Sequence, residues 1–290
     1  MKNYLIAVSS TCDTDREWLD KHQIPVLSYS FEIDGKAYPD DCREETRRLF
    51  YALMREGKLP NTSQITPYAY LTFFRELASQ KKPVLYLEMD SAVSGSFNNA
   101  RQAAAMLKEE DPKSELYVLD TRSITMGFSL LLKRLVKMQE EGASFEEVKS
   151  FAEDNCKKVI HRFFVDDLSW LQRGGRLSNA SAFIGTLLSV KPLIYLDEEG
   201  KLIAAAKVRG RQKAIHELLE KAAAEIGTEY DQEIIVGHSD CPEDGKKWEE
   251  TVRERFPKAS VSLQELGPVI GSHVGPGFLS IVYFAEERRA

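Results

Sequence analysis

The chain lacks a basic excess. Its 39 lysines and arginines are outnumbered by 45 aspartates and glutamates, for a net charge of -6. A nucleic-acid module would carry a basic surplus or stripe, so no nucleic-acid partner is expected and any basic cluster must be local. Cysteine is also sparse. Cys12, Cys42, Cys156 and Cys241 lie far apart, with no C-x-x-C pair and no zinc-like spacing. That supports neither a disulfide framework nor a structural metal, and it fits a reducing cytosol. No apolar run reaches the roughly 18 residues of a membrane span. The run Tyr4 to Val8 behind Met1-Lys2-Asn3 is too short for a signal-peptide core. A soluble, cytoplasmic protein is the expectation. Phosphate-binding fingerprints are missing as well: no glycine-rich segment matches a dinucleotide or P-loop pattern.

What is present is length and alternation. A chain of 290 residues suggests two domains. Short apolar runs (Tyr4 to Val8, Pro83 to Leu87, Leu116 to Asp120) alternate with helical patterns. Among these are a helix from Pro67 behind its Thr66 cap and an alanine-rich helix from Phe97 to Leu107. Such alternation gives a mainly parallel sheet with helices on both faces, whose ligands sit beyond the carboxyl ends of the strands. The pattern changes near His161. Past it come a hairpin (Leu193 to Leu196, then Ile203 to Val208), a helix from Gln212 to Ile226 and two late strands around a glycine-rich stretch. The expected fold is α/β: an N-terminal three-layer α/β/α domain over 1–160 and a C-terminal α+β domain with a mixed sheet over 161–290.

Four polar loops end apolar runs: Thr62-Ser63-Gln64, Ser94-Gly95-Ser96, Arg173-Gly174-Gly175-Arg176, and Gly267 to Gly277 with His273 inside. Hydroxyls, glycine-exposed amides, guanidinium and imidazole suit a carboxylate or phosphate, and none of these loops carries the acidic cluster a divalent metal needs. No metal and no cofactor are expected. Each loop also has a plainer reading. Thr62 to Gln64 caps the next helix, the arginines flank a solvated turn, and His273 sits in a rigid turn. The basic run Lys207 to Lys213, which contains Arg209, opens a helix whose dipole opposes cations, so it asks for a partner. His238-Ser239-Asp240-Cys241 lacks the second ligand set of a metal site. Ser94, Asp240 and His273 occur in the order of an α/β-hydrolase triad, yet Met89 to Gly95 contains no G-x-S-x-G elbow. A serine acyl hydrolase using Ser94 and His273, or a small phosphate-ligand binding protein, remain the alternatives to a carrier.

Taken in order, these motifs resemble the DegV family over essentially the whole chain, and in particular its FakB-type fatty-acid-binding members. The resemblance rests on the first strand with Ser9-Ser10-Thr11, Thr62-Ser63-Gln64, Ser94-Gly95-Ser96, Leu171 to Arg176, Lys191-Pro192-Leu193, Lys207 to Gly210 and Gly267 to Gly277. Ser9-Ser10 departs from the Asp-Ser common in relatives. The resemblance implies a long-chain fatty acid such as palmitate, stearate or oleate in an apolar tunnel. Its carboxylate would be bound by Thr62, Ser63, Ser94, Gly95, Arg176 and His273. Arg173, Arg209, Gly271 and Ser272 would be further head-group or partner contacts. It also implies a separate FakA-type kinase that phosphorylates the carboxylate, an acyl-phosphate held afterwards, and transient membrane contact. The chain itself would be a carrier subunit and not an enzyme.

Overall fold

The computed structural model describes residues 2–177 and 190–288. The first part runs β1 (Leu5–Ser9), α1 (Arg16–Lys21), β2 (Val26–Leu27), β3 (Tyr29–Ile33), β4 (Lys36–Asp40) and α2 (Glu44–Arg55). It continues with β5 (Asn61–Ser63), α3 (Pro67–Ala78), β6 (Val84–Glu88), α4 (Ser96–Glu110), β7 (Leu116–Asp120), α5 (Thr125–Glu140) and α6 (Phe145–Asn155). Then follow β8 (Val159–Phe164), α7 (Ser169–Gly174), β9 (Val190–Leu196), β10 (Leu202–Arg209) and α8 (Arg211–Ile226). Last are β11 (Glu233–His238), α9 (Pro242–Arg255), β12 (Ser260–Glu265), α10 (Pro268–Val274) and β13 (Leu279–Phe284).

Every residue of β1 and β6 is buried, the pattern of parallel strands covered on both faces. They form the centre of a parallel sheet ordered β2-β1-β6-β7. In β3 the residues alternate buried and exposed. It pairs antiparallel with β4 and β5 in a separate three-stranded sheet. The Asp34-Gly35 turn joining β3 to β4 has both φ angles positive, 52 and 77 degrees, as a two-residue hairpin requires. A mixed sheet ordered β10-β9-β8-β13-β11-β12 contains the expected β9–β10 hairpin. The fold is therefore α/β with an N-terminal parallel sheet and a C-terminal mixed one.

Helix α5 joins the two large sheets. Its residues from Thr125 to Leu132 are all buried, and it packs against β8, β11 and β13. One apolar core consequently runs from Ile6 and Leu85 through Leu131 to Phe163, Ile235 and Val282. A second core lies on the other face of the mixed sheet, where Leu218 of α8, Trp248 of α9 and Phe256 just past its end meet Ile234 and Ile281.

Three stretches expected as loops carry regular structure. Thr62 and Ser63 end β5, with Thr62 opposite Phe31 of β3; a three-residue polar edge strand has too little apolar alternation to be recognised. Arg173 and Gly174 close α7, and Gly175 follows at φ +66, the left-handed stop that glycine accepts most readily. The glycine-rich stretch contains α10, started by Pro268 and ended by Gly275 at φ +70. Proline at the first position and glycine past the last are ordinary helix punctuation, hidden here by the number of glycines. The basic run at α8 finds its partners too. Arg211 pairs with Asp166 at 2.9 Å and Asp244 at 2.8 Å, which offsets the unfavourable dipole.

Candidate functional site

Where the first parallel sheet meets α7 and α10, a cavity of about 190 Å³ opens among elements far apart in sequence. One end is polar: Thr62, Ser63, Gln64, Ser94, Arg176 and His273 border it. The remainder is apolar, lined by Met89, Val93, Leu171 and Val269, with Tyr29 alongside. Ile124, Leu202, Ile270 and Val274 line both this cavity and a second void of about 20 Å³, which continues toward Phe163, Phe278 and Val282. Thr125, His161 and Ser280 border the second void as well, but the surface left open to it is apolar, so polarity falls from the hydroxyl-bearing cavity to the inner void. A larger open cleft of about 1060 Å³ lies between Arg134 and Phe151 on one side and Lys221 and Tyr230 on the other. It carries charged residues of both signs, among them Lys158, Lys221, Glu225 and Glu286, and shares no lining residue with the first.

At the polar end, Thr62 Oγ1 and His273 Nε2 are 3.0 Å apart. Burial, helped by the charge of Arg176, lowers the His273 pKa to about 4, so the ring is neutral near pH 7. Its Nδ1 is buried and has no hydrogen-bond partner among the described residues. A Cβ on Gly174 would overlap that atom, so glycine at the end of α7 makes room for the imidazole. Arg176 is held by backbone carbonyls: Nε donates to Val93 O at 3.3 Å and NH1 donates to Gly174 O. Ser94 Oγ accepts from Ser96 N at 3.2 Å, placing Ser94 against the first turn of α4.

A buried acid lies behind this end. Glu88 is fully buried. Its carboxylate accepts from Ser9 at 2.9 Å, Tyr29 at 3.0 Å, Tyr70 at 2.7 Å, Tyr86 at 2.8 Å and the Met89 amide at 2.9 Å. Burial raises its pKa while these donors pull it down. Ser10 Oγ accepts from the Tyr29 amide at 3.0 Å. Ser9 and Ser10 together fix Tyr29 at the cavity wall, a supporting position one layer away from any ligand.

The structure brings together Thr62, Ser63, Ser94, Arg176 and His273. It keeps the other expected contacts off the cavity wall. Gly95 lies under the Gln64 side chain, whose amide atoms would be 2.8 Å from a Cβ there. Arg173 is stacked on Trp170, 4.6 Å from the ring centre. Gly271 packs against Phe50 and Tyr51, and Ser272 donates to Pro268 O at 2.7 Å within α10. Arg209 is exposed. Sequence reading passed over Tyr29, Met89, Val93, Ile124, Leu171 and Leu202 as wall residues. Apolar positions at the ends of strands and helices look the same in sequence whether they fill a core or line a void.

The triad order Ser94, Asp240, His273 does not become a triad. Asp240 pairs with Arg55, and no carboxylate oxygen reaches His273 among the described residues. Without an acidic partner on Nδ1 the imidazole lacks the orientation a serine hydrolase requires.

A DegV domain-containing protein of Clostridium perfringens is 35% identical over 289 residues, covering 99% of each chain. The crystal structure of a DegV lipid-binding protein from Thermotoga maritima superposes with a TM-score of 0.86 at 30% identity, covering 100% of both chains. A stearic-acid-binding protein from Eubacterium ventriosum superposes with a TM-score of 0.87 at 26% identity, covering 98% of both. Residues 4–286 match the family described as uncharacterised protein, DegV family, and the chain belongs to the DegV family.

Proposed function

We propose that the cavity holds one long-chain fatty acid, its carboxylate at Thr62, Ser63, Ser94, Arg176 and His273 and its tail directed toward Ile124 and Phe278. The observation that carries this reading is the polarity gradient: hydroxyls and one guanidinium at the rim, hydrocarbon behind. The lipid-binding protein of Thermotoga maritima and the stearic-acid-binding protein of Eubacterium ventriosum share the fold over almost the whole chain. Palmitate, stearate and oleate suit such a site. Burying roughly 14 methylenes at ~0.8 kcal/mol each contributes on the order of 11 kcal/mol before ordering costs. The tail then dominates affinity and the head group sets orientation.

In the neutral His273 tautomer that carries its proton on Nε2, the ring donates to Thr62 Oγ1 and leaves the threonine hydroxyl proton for a ligand oxygen; in the other tautomer the hydroxyl donates to the ring. Mostly neutral donors accommodate both a carboxylate and the more highly charged acyl-phosphate, with Arg176 offsetting the charge. We extend the proposal to a carrier role in which a separate FakA-type kinase transfers the γ-phosphoryl group of ATP to the bound carboxylate and the chain retains the acyl-phosphate. Arg209 supports it. This exposed cation lies off the cavity in an acidic protein, where it suits an acidic partner or the transferred phosphate.

Thermal denaturation of delipidated protein with and without palmitate, stearate or oleate tests the binding step. A ligand that binds only the native state stabilises it by RT ln(1 + [L]/Kd). A rise in melting temperature that continues to grow with the logarithm of free ligand is expected; no rise with any of the three acids contradicts the reading.

A further inference from the structure

We infer that Gln64 is an additional head-group donor, oriented by Asn99, which distinguishes a phosphorylated head group from a bare carboxylate. The inference rests on the fatty-acid reading above and assigns a specificity role within the same site.

The orientation follows from one backbone atom. Asn99, in the first turns of α4, donates from Nδ2 to Ile65 O at 2.8 Å. A carbonyl oxygen only accepts, so the Asn99 amide can face it in one way alone. The same Nδ2 lies 3.4 Å from Gln64 Oε1. Because Nδ2 presents only protons, Gln64 must turn its oxygen toward Asn99, and its own Nε2 faces away. That nitrogen makes no hydrogen bond among the described residues. Gly95 completes the arrangement, since a Cβ would stand 2.8 Å from both Nε2 and Oε1 of Gln64. The amide therefore lies close over Gly95 at the start of α4, and a side chain at that position would push it aside.

Position supplies the selectivity. Gln64 borders the cavity beside Thr62, Ser63 and Ser94, yet it is exposed, so it stands at the solvent side of the polar end. A tail fixed inward makes an added phosphoryl group project outward, the direction from which a kinase must reach it. The phosphoryl oxygens then arrive beside Gln64, whose Nε2 has no partner among the described residues, and near the start of the 15-residue helix α4. A carboxylate seated deeper, at Thr62 and His273, gains less from them. An uncharged donor in this place holds the product without the tight ion pair that a lysine would form.

The test compares delipidated wild type with Gln64→Ala, Gln64→Glu and Asn99→Ala, using palmitate and hexadecylphosphonate as ligands and calorimetric titration as readout. Gln64→Ala is expected to weaken hexadecylphosphonate about ten-fold, the scale of a hydrogen bond to a charged group, and palmitate by clearly less. Gln64→Glu, isosteric but without the donors, should widen that gap. Asn99→Ala should shift the same ratio in the same direction by freeing the amide to turn, with the melting temperature of each unliganded variant confirming its fold. Equal losses for both ligands, or no change for either, overturn the role of Gln64. Wild type that binds neither ligand overturns the fatty-acid reading itself, and this inference with it.

Discussion

Thr62 and His273 are separated by 211 positions in sequence, yet their side chains meet at 3.0 Å across the mouth of the cavity. The pair couples β5 to α10, so the polar end exists only when the two are docked. Thr62→Val keeps the shape and removes the hydroxyl. It is expected to weaken palmitate binding about ten-fold, and His273→Ala by a similar factor. Because the two act through one hydrogen bond, the double variant should lose less than the sum of the single effects in a double-mutant cycle. Additive losses measured by calorimetry would show that the two residues act separately.

Gly174 is expected to be as sensitive as the polar residues although it touches no ligand. A Cβ there would overlap His273 Nδ1, so the ring must leave its place beside Thr62 Oγ1. Gly174→Ala should reduce palmitate affinity at least as much as Thr62→Val while leaving the far-ultraviolet circular dichroism unchanged. Wild-type affinity in this variant would mean that the position of His273 does not govern head-group binding.

Stability should fall as pH rises above neutrality. Asp40 is buried beside Asp13 at the start of α10, where a Cβ on Gly267 would crowd Asp13 and stand 3.4 Å from Asp40 Oδ1. Burial and then the neighbouring Asp13 raise the Asp40 pKa to about 8, against roughly 3.9 in an unfolded chain. Between those values the folded chain keeps a proton that the unfolded chain has lost, so stability declines with rising pH until about 8. Asp13, raised to about 6 by burial, and Asp90, raised to about 7, add to the decline in the lower part of the window. Below roughly 6.5 the neutral buried histidines act in the opposite sense, since His161 is lowered to about 3 and His238 and His273 to about 4. Asp40→Asn should therefore raise the melting temperature at pH 8 relative to wild type by ~2–4 °C. A melting temperature that climbs for wild type from pH 6.5 to 8 would contradict this account.

Arg209 separates presentation from binding. It is exposed and lies off the cavity wall, so Arg209→Ala should leave palmitate occupancy as in wild type and lower the rate of kinase-coupled phosphorylation. Raising ionic strength should slow wild type more than the variant, because an attraction between exposed charges is screened. Loss of lipid with kinase affinity retained would reverse this division of labour.

Many strands and most helices were legible in sequence because their burial is complete, as in β1 and β6 of the parallel sheet, or periodic, as in β3 of the small one. The polar end was legible through residue types that are costly to place without purpose: Thr62, Ser94, Arg176 and His273 all reach one cavity. Two things were hidden. Glycines that make room for a neighbour, Gly95 for Gln64 and Gly174 for His273, look like glycines that make a flexible loop. The apolar wall was equally obscure, because Leu171, Leu202 and Ile124 differ from core residues only in facing a void, and a void is a property of packing between elements remote in the chain. Ser9-Ser10 gained its meaning from Glu88, 79 positions away from Ser9, which no local reading could supply.

The central claim is that one long-chain fatty acid occupies the cavity, and native mass spectrometry of the purified chain measures this most directly. The account predicts a bound mass equal to a single C14–C18 acid per chain, released on denaturation and restored by adding palmitate to delipidated protein. A chain that carries no lipid when purified, and takes up none of palmitate, stearate or oleate when offered them, would contradict it.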